Sequence, residues 1–189
     1  MAKVKLNPIV ESVRGGVGDL VFRKLNGDTV LSGKPDFTNV EATPEQEAHR
    51  ARFKQAVAYG RMVLADSDAR EDYDEAAQVK GKSAFALMVA DFMHAPSIDE
   101  VDVSEYGGLA NQFIYIRTSD DFTVEEVSVR ILDNGGTELE GGEADFDSAT
   151  NRWVYEGQTN LTLGTTIQIE VTVTDRPGST TVTGQSHNI

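Results

Sequence analysis

Hydrophobic and polar positions follow two different periods along this chain, with the change near residue 96. In the first part, Val17-Gly-Asp-Leu-Val-Phe-Arg-Lys-Leu and Thr29-Val-Leu-Ser flank Asn26-Gly27. An Asn-Gly pair between short apolar runs predicts a β-hairpin at about 18–34, because both central residues of a type I′ turn need positive φ. Gly15, Gly16 and Gly18 precede it and permit a tight bend, and Pro35 closes it because proline cannot continue a ladder. Thr43-Pro44-Glu45-Gln46 then reads as a helix start, with Thr43 as N-cap, Pro44 first in the helix and Gln46 completing a capping box. This helix runs to about Leu64, with Ala48, Ala51, Phe53, Ala56, Val57, Met62, Val63 and Leu64 supplying one buried face and His49, Arg50, Arg52, Lys54 and Arg61 a basic one. Ser67 to Val79 predicts a second helix, with acids in its first turns and Gly81 as its stop. Ser83 to His94 predicts a third, apolar nearly all round and so buried under the hairpin and the other two helices.

After Pro96 the period becomes two. Gln112 to Thr118, Thr123 to Leu132, Arg152 to Glu156 and Thr165 to Thr174 alternate as strands do and are rich in β-branched residues. In the last of these Ile167, Ile169, Val171 and Val173 share the inward row. Turn signals fall at Asp133-Asn-Gly-Gly, Glu140-Gly-Gly, Thr150-Asn-Arg and Asp175-Arg-Pro-Gly. About seven short strands follow, the pattern of an immunoglobulin-like or fibronectin-III-like sandwich. The expected organisation is an α+β domain over 1–96, a β-hairpin plus three helices, followed by an all-β sandwich over 97–189. Trp153 is a candidate core anchor outside the Cys–Trp–Cys pattern of antibody domains.

Charge sharpens that division. Residues 97–189 contain no lysine and four arginines against seventeen acids, whereas residues 1–96 hold 13 basic and 14 acidic side chains; the whole chain of 189 residues carries −14. Such an acidic half repels nucleic acid and anionic membrane surfaces, so neither is an expected partner. The longest apolar run, Ala84 to Ala90, is far below the roughly 18 residues of a membrane span. The first residues lack the apolar core of a secretory signal, so the expected location is the cytoplasm or the interior of an assembled particle. Without cysteine, neither disulfides nor thiolate metal sites contribute.

The segment Gly15-Gly-Val-Gly-Asp-Leu-Val-Phe-Arg-Lys, then Lys34-Pro35-Asp36 and Thr43-Pro-Glu-Gln-Glu-Ala-His-Arg-Ala-Arg-Phe-Lys, resembles a group of uncharacterised bacterial proteins. Their second halves look like Ig-like modules ending in a turn like Thr174-Asp-Arg-Pro-Gly178. The resemblance implies the two-part architecture and no activity. A similar glycine, hairpin and helix opening occurs in proteins that look like phage structural components, which implies assembly.

Candidate chemistry is sparse. His49 lies on a charged helix face, His94 at a helix end and His187 in a polar tail, none with a partner at useful spacing. Gly15-Gly16-Val17-Gly18 lacks both the Gly-Lys-Ser/Thr ending of a phosphate loop and a helix directly after it. The acids Asp120, Asp121, Asp145, Asp147 and Asp175 lie in predicted turns and would suit calcium if they converged at one end of the sandwich. No acid, base and nucleophile set is recognisable, so an enzyme is not expected.

The leading expectation is a structural subunit that assembles with copies of itself into a filament, ring or larger particle, surface-exposed or phage-like. The arm Met1 to Val13, with Val4, Leu6, Ile9 and Val13 alternating, is a candidate strand donor. The basic helix face of Arg50, Arg52 and Lys54 is the candidate contact for a neighbour's acidic sandwich. The alternative is an Ig-like module that recognises a carbohydrate or protein through loop aromatics such as Tyr106, Phe122, Phe146 and Tyr155, although such residues are more often core.

Overall fold

The computed structural model describes residues 2–5, 13–36 and 41–189. Among them are three helices and twelve strands in three antiparallel sheets, an α+β protein dominated by a β-sandwich. The chain forms two compact units, 1–46 and 47–189. The break in compactness therefore falls at 46/47, and the helices share a unit with the sandwich, whereas the hydrophobic period changes near 96.

The first unit is one small sheet of β1 (Ala2–Lys3), β2 (Gly15–Val17), β3 (Leu20–Leu25) and β4 (Asp28–Gly33), in the order β1-β4-β3-β2. The hairpin is β3–β4, turning at Asn26 (φ 50°) and Gly27 (φ 91°) as a type I′ turn requires. The glycines before it do more than bend the chain: Gly15 to Val17 pair with Phe22 to Leu20, and Gly18 (φ 57°) makes the turn between them. Ala2 and Lys3 pair with Leu31 and Val30 of the same chain. Val30 is the one buried hydrophobic residue among the described residues of this sheet, while Val17, Leu20 and Leu25 are exposed.

α1 (Pro44–Ala65) begins three residues before the 46/47 break and continues into the second unit, which also holds α2 (Ser67–Lys80) and α3 (Ala84–Met93). The capping box forms as its residue types dictate: the Gln46 amide donates to Thr43 Oγ1 at 3.3 Å and the Thr43 amide to Gln46 Oε1 at 3.2 Å. Asp66 caps α2 by accepting from the Asp68 and Ala69 amides, and Gly81 ends it in the left-handed region. Ser83 caps α3. Tyr73, Ala77, Leu87, Met88 and Val63 form the helical core. Gly60 lets α1 approach α3 closely, since a Cβ there would stand 2.9 Å from the Phe85 ring. The continuous buried face expected of α1 is not found: only Ala56, Gly60 and Val63 are buried, Phe53, Met62 and Leu64 are exposed, and so is every residue from Pro44 to Gln55, because α1 packs closely on α3 around Gly60, in its second half.

The sandwich packs the sheet β5 (Ser97–Asp102), β6 (Phe113–Ser119), β10 (Arg152–Glu156) and β9 (Asp145–Asp147) against β12 (Thr180–Asn188), β11 (Thr166–Asp175), β7 (Val124–Leu132) and β8 (Glu138–Glu143). Ile114, Ile116, Val127, Val129, Ile131, Tyr155, Ile167, Ile169, Val171 and Val173 fill the space between, in the alternation the strand pattern predicts.

Two expectations need correcting. Glu140-Gly-Gly is no turn but the middle of β8. A Cβ at Gly141 would lie 3.0 Å from the Val129 carbonyl oxygen and one at Gly142 would lie 2.9 Å from Gln158, so these glycines serve close packing. The polar tail around His187 is an edge strand, β12, held to β11 over nine residue pairs and apolar at few positions because one face meets solvent.

Removing buried volume from the sandwich core is costly: Ile169→Ala should lower stability by about 2–5 kcal/mol, read as a shifted denaturant midpoint at unchanged slope.

Candidate functional site

α3 is apolar nearly throughout, yet its buried face reads Leu87, Met88, Asp91, with the acid fully inaccessible. β11 likewise carries its inward row of Ile167, Ile169, Val171 and Val173 on to Asp175, which is 2% exposed. Asp120, in the loop between β6 and β7, is the third member. The three carboxylates each present an oxygen within 4.8 Å of the others.

Each carboxylate has one oxygen engaged. Asp91 Oδ2 accepts from the Tyr73 hydroxyl, which also shares a 2.9 Å hydrogen bond with the Tyr59 hydroxyl. Asp120 Oδ2 accepts from the Phe122 amide at 3.0 Å, and Asp175 Oδ1 from the Ser179 amide at 2.5 Å, which tightens the Asp175-Arg-Pro-Gly turn. The other oxygens, Asp91 Oδ1, Asp120 Oδ1 and Asp175 Oδ2, are buried without a hydrogen-bond partner among the described residues. Burial pushes the Asp91 carboxyl up to about 8, helped by Asp120 and opposed by the Tyr73 hydroxyl. Burial also raises Asp175, again with a contribution from the charge of Asp120, while backbone amides of its turn oppose the shift. Tyr73 is raised well above the ordinary tyrosine range by burial and by its bonds to Asp91 and Tyr59.

The nearby cations are committed elsewhere. Arg176 donates to Asp72 at 2.7 Å, lies 3.9 Å from Glu125, and caps the stacked Tyr73 and Phe122 rings, whose centroids are 3.9 Å apart. Lys80 donates to the Asp121 carbonyl, and His94 Nδ1 lies 2.5 Å from Asp121 Oδ2. A second buried carboxylate shows the contrast. Glu140 accepts from the Tyr106 hydroxyl at 2.7 Å and from the Gln158 amide, the Thr159 amide and the Thr159 hydroxyl at 3.1, 2.7 and 2.5 Å, so both its oxygens are satisfied. Chemically, the Asp91, Asp120 and Asp175 cluster can share a proton or hold a hard cation.

Of the five acids singled out from the sequence, the structure brings Asp120 and Asp175 together. Asp121 faces His94, Asp145 is exposed on β9, and Asp147 braces its own turn by accepting from the Ala149 amide and the Thr150 hydroxyl. Asp91 was missed, although a lone acid on the apolar face of a buried helix was a signal for it. Among the assembly residues, the Val4 amide donates to the Thr29 carbonyl of its own chain, Val13 is half-buried, and Leu6 and Ile9 lie outside the described residues. Arg50 and Lys54 are exposed on α1, and Arg52 donates to the Phe92 carbonyl at 3.4 Å. His187 Nε2 lies 2.6 Å from the Tyr106 carbonyl oxygen. Tyr106 and Tyr155 are core, Phe122 packs on the helices, and Phe146 is exposed against Trp153 at 5.2 Å between ring centroids.

No protein-family model and no curated protein matches the chain. Solved structures similar to part of it include CopC from Methylosinus trichosporium OB3b, at 16% identity and a TM-score of 0.38, covering 49% of this chain and 90% of that one. An engineered protein matches at 20% identity and a TM-score of 0.34 over 48% of this chain, and a Bifidobacterium dentium β-glucuronidase complexed with coumarin-3-O-glucuronide at 19% and 0.32 over 50%. The matched part spans 19% and 17% of the length of those two chains. No helix among the described residues is long and apolar enough to cross a membrane.

The raised Asp91 group sets a sign for pH dependence. Its folded pKa exceeds its unfolded value, so the folded chain keeps a proton that the unfolded chain releases. That stabilisation is complete below about pH 4 and is lost as the pH rises towards about 8. With a chelator present, denaturation followed from about pH 5 to about pH 8.5 should show stability falling less steeply in Asp91→Asn than in the unsubstituted protein. Equal slopes would remove Asp91 as the source.

Proposed function

We propose that this protein is a non-enzymatic structural subunit that associates with further copies of itself. The observation that carries this reading is how few of the described residues among the first 55 are buried. One hydrophobic residue, Val30, is buried in the described part of a four-stranded sheet, and no residue in the first three turns of α1 is buried, Phe53 included. A sheet with so little of its described surface buried and a helix start without a covered stripe are marginal in water, and both gain from a partner. A second copy is the partner that charge supports. Residues 1–65 hold ten basic against seven acidic side chains, and residues 66–189 hold seven against twenty-four, so the first region of one subunit complements the second region of another. The pairing of Ala2–Lys3 with β4 within the chain is a contact that neighbouring copies can also exchange.

The sandwich reads as Ig-like, of the kind that serves as a rigid spacer or module in assemblies. Its strand orders, β5-β6-β10-β9 and β12-β11-β7-β8, support this, since labelling the eight strands in chain order gives the A-B-E-D and G-F-C-C′ sheets of an immunoglobulin fold. On that labelling Trp153 stands on the E strand, which is consistent with its lying outside the usual strand C position. The alternative of a loop-borne binding module draws little support, because three of its four candidate aromatics are spent on packing.

Sedimentation velocity and electron microscopy at low and high ionic strength test the proposal. The expected outcome is concentration-dependent assembly that weakens with salt, and that weakens further in Arg50→Glu/Lys54→Glu; a monomer at every concentration and salt would defeat it.

A further inference from the structure

We propose that Asp91, Asp120 and Asp175 bind one calcium ion, which fastens α3 to the two sandwich segments that carry the other acids. The inference is independent of self-association, since all three ligands lie within one unit of one chain.

Three features carry it. The carboxylates come from elements far apart in sequence, a helix, a loop and the end of a core strand, and their oxygens converge to within 4.8 Å. Each has one oxygen fixed by a protein donor, Tyr73, Phe122 or Ser179, and one buried oxygen with no partner. The fixed oxygen orients the group and the other is available to a ligand. Asp91 and Asp175 are more than nine-tenths buried, so their spare oxygens do not face bulk water. Glu140 shows that this chain can satisfy a buried carboxylate completely with its own donors. At the cluster, by contrast, the neighbouring Arg176 and His94 pair with Asp72, Glu125 and Asp121.

Ligand type and spacing select the ion. An all-carboxylate set is hard and suits calcium, magnesium or manganese over the softer transition metals. Oxygens about 2.3–2.6 Å from a calcium ion can stand nearly 5 Å apart on opposite sides of it, whereas magnesium, at about 2.0–2.1 Å, draws its ligands within about 4.2 Å and keeps several waters. A site whose acids are largely withdrawn from water therefore fits calcium better than magnesium, which keeps several waters. Main-chain carbonyls and water would complete its coordination.

The test uses the full chain, stripped with a chelator and dialysed, then titrated with calcium chloride by calorimetry and melted with calcium, with magnesium and with chelator. One calcium per chain is expected. At a hundredfold excess over Kd the melting temperature should rise by about 5 °C or more, independently of protein concentration, and magnesium should produce a smaller rise. Asp120→Asn and Asp175→Asn, confirmed folded by circular dichroism, should each weaken calcium binding at least about tenfold, while Asp145→Asn and Asp147→Asn should leave it unchanged. The absence of calcium heat and of any calcium-dependent melting shift in the unsubstituted protein would overturn the proposal, leaving a proton as the occupant. A calcium response that persists undiminished in both Asp120→Asn and Asp175→Asn would overturn it equally.

Discussion

Burying carboxylates at the meeting point of helix and sandwich is the constraint on which the second unit depends. Placing Asp91 and Asp175 out of water is unfavourable for either as an isolated anion, and the surrounding structure is arranged to limit that cost. Tyr73 donates to Asp91, Phe122 stacks on Tyr73, and Arg176, the residue after Asp175, lies over both rings while bonding Asp72 of α2. One run of contacts thus binds α2, α3, the β6–β7 loop and the end of β11 together. The aromatic stacking and the cation above it contribute area and orientation. The acids contribute specificity, because their engaged oxygens meet the Tyr73 hydroxyl and the Phe122 and Ser179 amides only in one arrangement.

That joint explains why the helices belong with the sandwich. Val63, Tyr73, Ala77, Leu87 and Met88 make a core too small to stand by itself, and Phe122 of the sandwich packs against it. The sandwich itself is held by an ordinary alternating core of Ile, Val and Tyr side chains. The first unit shows neither resource among its described residues: its strands are paired by register, but Val30 alone of their hydrophobic side chains is buried. The contrast between a well-packed second unit and a thinly packed first one gives the self-assembly proposal its physical basis.

Local signals were read from the sequence to within a residue or two. The Asn26-Gly27 hairpin, the Thr43–Gln46 capping box, the Gly81 stop and the inward row of β11 all depend on residues close together in the chain. The errors have a common cause. Gly141 and Gly142 resemble a turn locally, and only the approach of Val129 and Gln158 shows that they are packing glycines. β12 is polar because it is an edge, so no hydrophobic alternation marked it.

For the candidate site the sequence pointed to Asp120 and Asp175 as turn acids, and it also contained the unused signal of an acid at position 91 on an otherwise apolar helix face. It could not set Asp91 beside them, because contacts across 29 and 84 residues are fixed by packing and not by local preference. The amino-acid sequence by itself determined the helices, the hairpin, most of the strands and the steep charge difference along the chain, since each follows from spacing and composition. Only the tertiary structure decided that the helices close on the sandwich, which acids converge and which of their oxygens are left without a partner, because those are properties of three-dimensional packing.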